Sequence, residues 1–374
     1  MRKILSITLI SLCFFSCKQK QAQEESLSVV SSITLYNHMD SMLNVGIGLG
    51  HQDDLSYGHM WYNEPGRSDV QQVTGRYPAV FGWDIGHLEL GSEYNLDSVY
   101  FCKMKRYIRE AHQMGAVNTI SWHADNILTG GSTWDCDPAS RVVASVLPGG
   151  QNHENFLGWL DKLADFFLDL KDDNGQQIPV VFRMYHEHNG GWFWWGGNQC
   201  TPEEYKQMWI MTFEHLRNTR QVQNLLYAYS PNAMQSEADF LERYPGDEYV
   251  DIIGFDCYAN GENDDANPEK IAIQIEQYKK TLTTNLDIIT AYAEKSGKIP
   301  AITETGMERI PYPFYFTDAV YNTIKDYKVS YVLFWRNAFD RPNHFYVPYP
   351  DGPGEEDFRS FVSKSKIVTI NPKK

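Results

Sequence analysis

Residues 179–186 read Pro179-Val180-Val181-Phe182-Arg183-Met184-Tyr185-His186, and the chain then turns through Glu187-His188-Asn189-Gly190-Gly191-Trp192-Phe193-Trp194-Trp195-Gly196. A nearly continuous apolar run of this kind suits a strand covered on both faces, as in a parallel sheet. Upstream of it, Phe156, Trp159, Leu160, Leu163, Phe166, Phe167 and Leu170 recur at spacings of three and four, which lays one apolar stripe along a helix. The same beat runs through the whole chain. Candidate strands are Asn44–Gly50, Ala79–Asp84, Ala116–Trp122, Pro179–His186, Asn224–Ser230, Val250–Asp256, Ile299–Thr303 and Ser330–Trp335, and a second long helical pattern covers Glu269 to Lys295. About eight such units with no break in composition predict an α/β fold, a single (β/α)8 TIM barrel over residues 35–370. A doubly wound sheet would want a Gly-rich nucleotide turn after the first strand. Gly46, Gly48 and Gly50 lack the third glycine and the following helix.

The 374 residues carry 33 Lys and Arg against 48 Asp and Glu, a net charge of −15. With no basic face evident, nucleic-acid binding by counterion release is disfavoured, as is adhesion to anionic lipid through a polybasic patch. The N-terminus reads as an address. Met1-Arg2-Lys3 precedes an apolar run from Ile4 to Phe15 and then Ser16-Cys17, the pattern of a secretory signal too short to span a bilayer. Ser16-Cys17 resembles a bacterial lipobox. The expectation is therefore a signal peptide over 1–16, a lipidated Cys17, and a flexible tether over 17–34 that holds the protein in the bacterial cell envelope. An outer-membrane lipoprotein follows, with the periplasmic and cell-surface faces both open. Of the remaining cysteines, Cys136 and Cys200 lie in polar, Gly-rich stretches and are the expected bridge partners, whereas Cys257 suits a free buried thiol equally well.

In a barrel of this type, reacting groups sit where strands end and loops begin. Glu187 follows the fourth strand, and Ile302-Thr303-Glu304-Thr305-Gly306 places a second glutamate at the tip of the seventh. Each alone could be a barrel-top salt bridge or a helix-terminal acid. Together they face each other across one barrel mouth, which is what a retaining glycosidase requires. One carboxyl must arrive protonated and the other ionised. Burial against His186 and the Trp cluster makes Glu187 the better acid, and Tyr258 at the sixth strand end is a plausible donor holding Glu304 charged. Aromatic residues beside polar ones recur at strand ends, as in Trp122-His123 and Trp335-Arg336-Asn337. Flat indoles and planar donors match the C–H face and hydroxyl rim of a sugar. His186 and His188 flank Glu187, but the zincin spacing and a third clustered ligand are missing, so no metal or other cofactor is expected.

The run His186 to Gly196 and Ile302 to Gly306 resemble the signature regions of family 26 glycoside hydrolases, mainly β-mannanases. The likeness extends through Val250 to Tyr258 and Phe334 to Asn337. It implies a retaining barrel enzyme that cuts β-1,4-mannosidic bonds in mannan, galactomannan or glucomannan, with Glu187 as acid/base and Glu304 as nucleophile. By that resemblance His186 supports the acid, Trp192 sits by the leaving-group sugar and Tyr258 bonds the nucleophile. Trp335 floors the cleavage subsite, and His123 and Arg336 grip the next sugar on the non-reducing side. Arg183-Met184 departs from the family's frequent Arg-Pro, and His188 takes no role. Mixed-linkage β-glucan or β-1,3-xylan as substrate, and a non-catalytic glycan-binding lipoprotein, are the alternative readings. The expected state is a monomer. The long segment Ala124 to Gln151 could wall one end of the cleft and favour short or chain-end products, or it could form an open rim.

Overall fold

A computed structural model describes residues 32–259 and 267–372. The signal peptide, Cys17 and most of the tether fall outside the described residues. Eight parallel strands form at the expected places: β1 Ile47–Gln52, β2 Val80–Asp84, β3 Val117–Trp122, β4 Val180–Met184, β5 Leu225–Tyr229, β6 Ile252–Tyr258, β7 Ile299–Gly306 and β8 Tyr331–Phe334. Each pairs with its neighbour in chain order, and β1 closes the cylinder onto β8 with Gly48 opposite Tyr331 and His51 opposite Phe334. This is a closed (β/α)8 barrel.

The strands bury both faces, and the two faces do different work. Val80, Val117, Val181, Leu226, Ala228, Ile252, Ile299, Ala301, Tyr331 and Leu333 pack inside the cylinder. The alternate residues Phe81, Ile120, Phe182, Ile253, Ile302 and Val332 pack outward, in the same cluster as the helix residues Met104, Ile108, Leu160, Leu163 and Leu282. A strand period of two produces this division. The helices are set by ordinary chemistry at their ends. Pro202–Glu214 begins with a Thr201–Glu204 capping box. Pro268–Ser296 begins under the Asn267 side chain and stops at Gly297, whose φ of 72° suits glycine.

The tether boundary needs correction. A helix already runs over residues 32–45, and its Leu35, Met39 and Met42 join the interior cluster and plug the bottom of the barrel. Their spacing of three and four is the reason they share one face. The expected Cys136–Cys200 bridge is absent, because both thiols are free. Cys200 is buried beneath the carbonyl of Trp195, 3.3 Å away, with Arg243 also 3.3 Å from its sulfur. Cys136 sits at the cleft rim, 3.6 Å from the carbonyl of Gly191. Cys257 is a buried free thiol.

Candidate active site

The floor of the barrel mouth is polar. Arg183, Asp256, Thr303 and Glu304 are buried at the upper ends of β4, β6 and β7. Arg183 Nη1 donates to Asp256 Oδ2 at 2.8 Å, and its Nη2 donates to Glu304. Ser230 and Thr303 hydroxyls complete Asp256, at 2.9 and 2.8 Å. Burial pushes the Asp256 carboxyl up to about 7, with Arg183 opposing and Glu304 adding to the shift. Glu304 reaches this floor through an irregularity in β7. The register against β6 slips between Ile302 and Glu304, so Thr303 and Glu304 both bond inward, as a bulge permits. The Tyr258 hydroxyl donates to the second oxygen of Glu304. Burial and the adjacent Glu304 charge push that phenol well above its ordinary range, so it stays a donor. Two donors, one of them cationic, therefore converge on Glu304.

Glu187 has a different setting. The chain leaves β4 through two non-glycine residues in left-handed conformation, Tyr185 at φ 48° and Glu187 at φ 50°. Such backbone is uncommon outside glycine and persists where the surroundings hold it. The Glu187 amide is tied to the carbonyl of Ser230 at 2.8 Å, and one side-chain donor reaches its carboxyl, Trp192 Nε1 at 2.7 Å from Oε2. Burial, followed by the charges of Asp256 and Glu304, pushes this carboxyl well above its usual range. Ser230, whose carbonyl holds the Glu187 amide and whose hydroxyl bonds Asp256, and Arg183, which bonds Asp256 and Glu304, link the two acids at one end of the barrel. Glu304 thus accepts from Arg183 and Tyr258, whereas Glu187 has burial and two neighbouring carboxylates set against its charge.

Around them, His186 is buried with its ring 4.6 Å from His123 and 5.1 Å from Phe193. Burial, with Arg183 and His123 nearby, pushes it well below the usual histidine range, so it is neutral. His123 behaves oppositely. Its Nδ1 lies 2.7 Å from Asp84; burial works to lower the imidazole, but the charge and hydrogen bond of Asp84, with the charge of Glu304, raise it on balance. Trp335 is half-buried, 6.4 Å from His123. Arg336 is buried beside Asp97 at 2.9 Å. Among the described residues, His186, Asp256 and Glu304 could meet on a cation, although Arg183 already occupies both carboxylates.

With this constellation in place, comparison with known proteins is decisive. The model of glycosyl hydrolase family 26 matches residues 25–334. The chain belongs to glycosyl hydrolase family 26. A mannan endo-1,4-beta-mannosidase of Bifidobacterium adolescentis is 31% identical over 354 residues, 87% of this chain and 34% of that one. One from Bacillus subtilis is 30% identical over 210 residues, 54% of this chain and 56% of that one. The chain thus spans about a third to about half the length of these curated relatives. Among solved structures, the family 26 β-mannanase BoMan26A from Bacteroides ovatus has a TM-score of 0.85 at 42% identity, over 91% of this chain and 95% of that chain. The catalytic domain of an endo-beta-1,4-mannanase from Bacillus sp. JAMB-750 has a TM-score of 0.80 at 32% identity, covering 92% and 91%.

Within this family 26 barrel the aromatic-rim expectation holds only in part. Trp122 points outward from β3, fully buried against Phe156 and Tyr185 with its N–H on Glu89. Trp194 and Trp195 are also fully buried and bond the carbonyls of Ala124 and His186. They are core and scaffold. The indoles left at the mouth are Trp192, 39% exposed, Trp134, 51% exposed and stacked on His123, and Trp335. Sequence reasoning treated Arg183 only as part of a motif departure and passed over Asp256 as a strand-end residue. A buried strand carrying Arg in an apolar run was the available signal, since a lone cation there requires partners.

Proposed function

We propose that this family 26 chain hydrolyses β-1,4-mannosidic bonds in mannan, galactomannan, glucomannan and derived oligosaccharides with retention of configuration. The observation that carries this is the contrast between Glu187 and Glu304 across one pocket. Glu187 delivers its proton to the glycosidic oxygen as the C–O bond breaks. A carboxylate oxygen of Glu304 attacks the anomeric carbon and forms a glycosyl ester, and the leaving sugar departs. Glu187, now a carboxylate, takes a proton from water as that water attacks the anomeric carbon and frees Glu304. Neutral His186 packs beside the acid, Trp192 receives the leaving-group sugar, and Tyr258 steadies the nucleophile. Trp335 floors the cleavage subsite, and His123 with Arg336 grips the next sugar on the non-reducing side. The relatives' names as mannan endo-1,4-beta-mannosidases support the substrate class.

The segment after β3 is stitched to the segment after β4 on the His123 side. Trp194 N donates to Thr133 O at 3.3 Å, and Trp134 stacks on His123 with centroids 5.5 Å apart. This supports a walled cleft and a preference for short or chain-end products. The protein acts as a monomer held to the outer membrane through a lipid on Cys17, with no nucleic-acid partner. A panel of β-mannan, galactomannan, mixed-linkage β-glucan and β-1,3-xylan, scored by reducing ends and viscosity, tests the reading. Mannans should be cut fastest, with viscosity falling no faster than reducing ends appear. Release from glucan or xylan alone would refute the substrate. Radiolabelled palmitate incorporation lost in Cys17→Ala tests the anchor.

A further inference from the structure

Behind the proposed sugar-gripping arginine, the half-buried Asp97 and three buried side chains form a line. Asp97 Oδ1 lies 2.9 Å from Arg336 Nη2. Arg336 Nη1 lies 3.4 Å from the Tyr57 hydroxyl, with the guanidinium 5.8 Å from the centre of that ring. The Tyr57 hydroxyl donates in turn to Asp53 Oδ2 at 2.8 Å. Asp53 ends the line. It is fully buried just past β1, its backbone is left-handed at φ 58°, and its Oδ1 has no hydrogen-bond partner. The charged and titratable groups facing it are Asp97 from the β2 loop, Asp84 from the end of β2, Tyr57 and Arg336; His123 and Arg341 in turn face Asp97. Burial pushes the Asp53 carboxyl up to about 8, with Asp97 and Asp84 adding to the shift and Tyr57 and Arg336 opposing it.

We infer that Asp53 is a positioning residue: by accepting from Tyr57 it orients that hydroxyl toward Arg336 and so sets the guanidinium that grips the second sugar. The inference rests on the binding role proposed for Arg336. A hydroxyl that donates its hydrogen bond to Asp53 keeps its lone pairs for Arg336 Nη1, while Asp97 takes Nη2. Among the described residues the remaining guanidinium N–H groups have no hydrogen-bond partner, which leaves them for sugar hydroxyls. If Asp53 ionises, a second buried carboxylate with no ion partner of its own lies on the far side of Tyr57. It then competes with the substrate for the same cation.

The test is steady-state kinetics of the full chain on soluble manno-oligosaccharides across neutral and alkaline pH. In the parent, KM should climb severalfold as pH passes about 8. Asp53→Asn, whose amide cannot ionise, should lose that climb while keeping the parent's kcat limb. Tyr57→Phe should raise KM at neutral pH more than it lowers kcat. An alkaline KM climb retained in Asp53→Asn, or an unchanged KM in Tyr57→Phe, overturns the inference. Infrared spectra provide an arm independent of turnover. The protonated-carboxyl carbonyl band at neutral pH should lose one component in Asp53→Asn while the part owed to Glu187 stays, and a band unchanged by the substitution overturns the inference too. A parent that cuts no mannan at all would instead refute the proposed function.

Discussion

The indole N–H of Trp192 lies 2.7 Å from Glu187 Oε2, making an exposed aromatic the sole side-chain donor to that acid among the described residues. Gly190 makes room for it, since a Cβ there would come within 2.3 Å of the Trp192 ring. The bond favours the charged form and so works against the burial and the Asp256 and Glu304 charges that raise this carboxyl. Trp192→Phe removes the donor. The proton on Glu187 should then be held to higher pH, and the alkaline limb of the kcat/KM profile should move upward. A downward move would show that Trp192 bonds the protonated form.

Glu187→Gln removes the transferable proton but keeps the size. Activity on mannan should fall by about 10²- to 10⁴-fold. An aryl mannoside whose leaving group needs no proton should suffer far less in its first step. Equal losses on both substrates, measured by burst kinetics, would argue against Glu187 as the acid.

Arg183 is a buried cation shared by two buried carboxylates. Arg183→Met strands both acids, and removing one partner of a buried pair typically costs about 3–5 kcal/mol. Without the opposing cation the Asp256 carboxyl would sit above its parent position of about 7, so the deficit is one of holding charge. It should grow as pH rises above about 7, where Asp256 ionises in the parent but not in the variant, and level off below that. Urea unfolding of parent and variant at several pH values measures this directly. A constant deficit would assign the loss to packing alone.

Because Cys102, Cys136, Cys200 and Cys257 are free thiols, reductant should leave the melting temperature unchanged. A bridge would typically contribute about 2–5 kcal/mol, readily visible as a fall in Tm.

The strands were legible because a sheet covered on both faces leaves apolar runs such as Val180-Val181-Phe182 that polar surface segments do not imitate. The two glutamates were legible because acids at strand tips stand out against those runs. The direction of the indoles was not. Trp122 lies next to inward-facing His123, and period-two alternation sends it outward. After Met184, left-handed backbone at Tyr185 and Glu187 breaks that count, so the burial of Trp194 and Trp195 could not be read by alternation. The Arg183–Asp256 pair joins residues far apart in sequence through barrel closure, which spacing does not display. The helix over 32–45 was missed because its stripe of Leu35, Met39 and Met42 is short and set among polar residues.

The stereochemistry of the first product is the most direct test of two glutamates acting by double displacement. Proton NMR of a manno-oligosaccharide digest, recorded before mutarotation, should show the β-anomer released first. Initial release of the α-anomer would mean a single displacement by water, and Glu304 could not be the nucleophile.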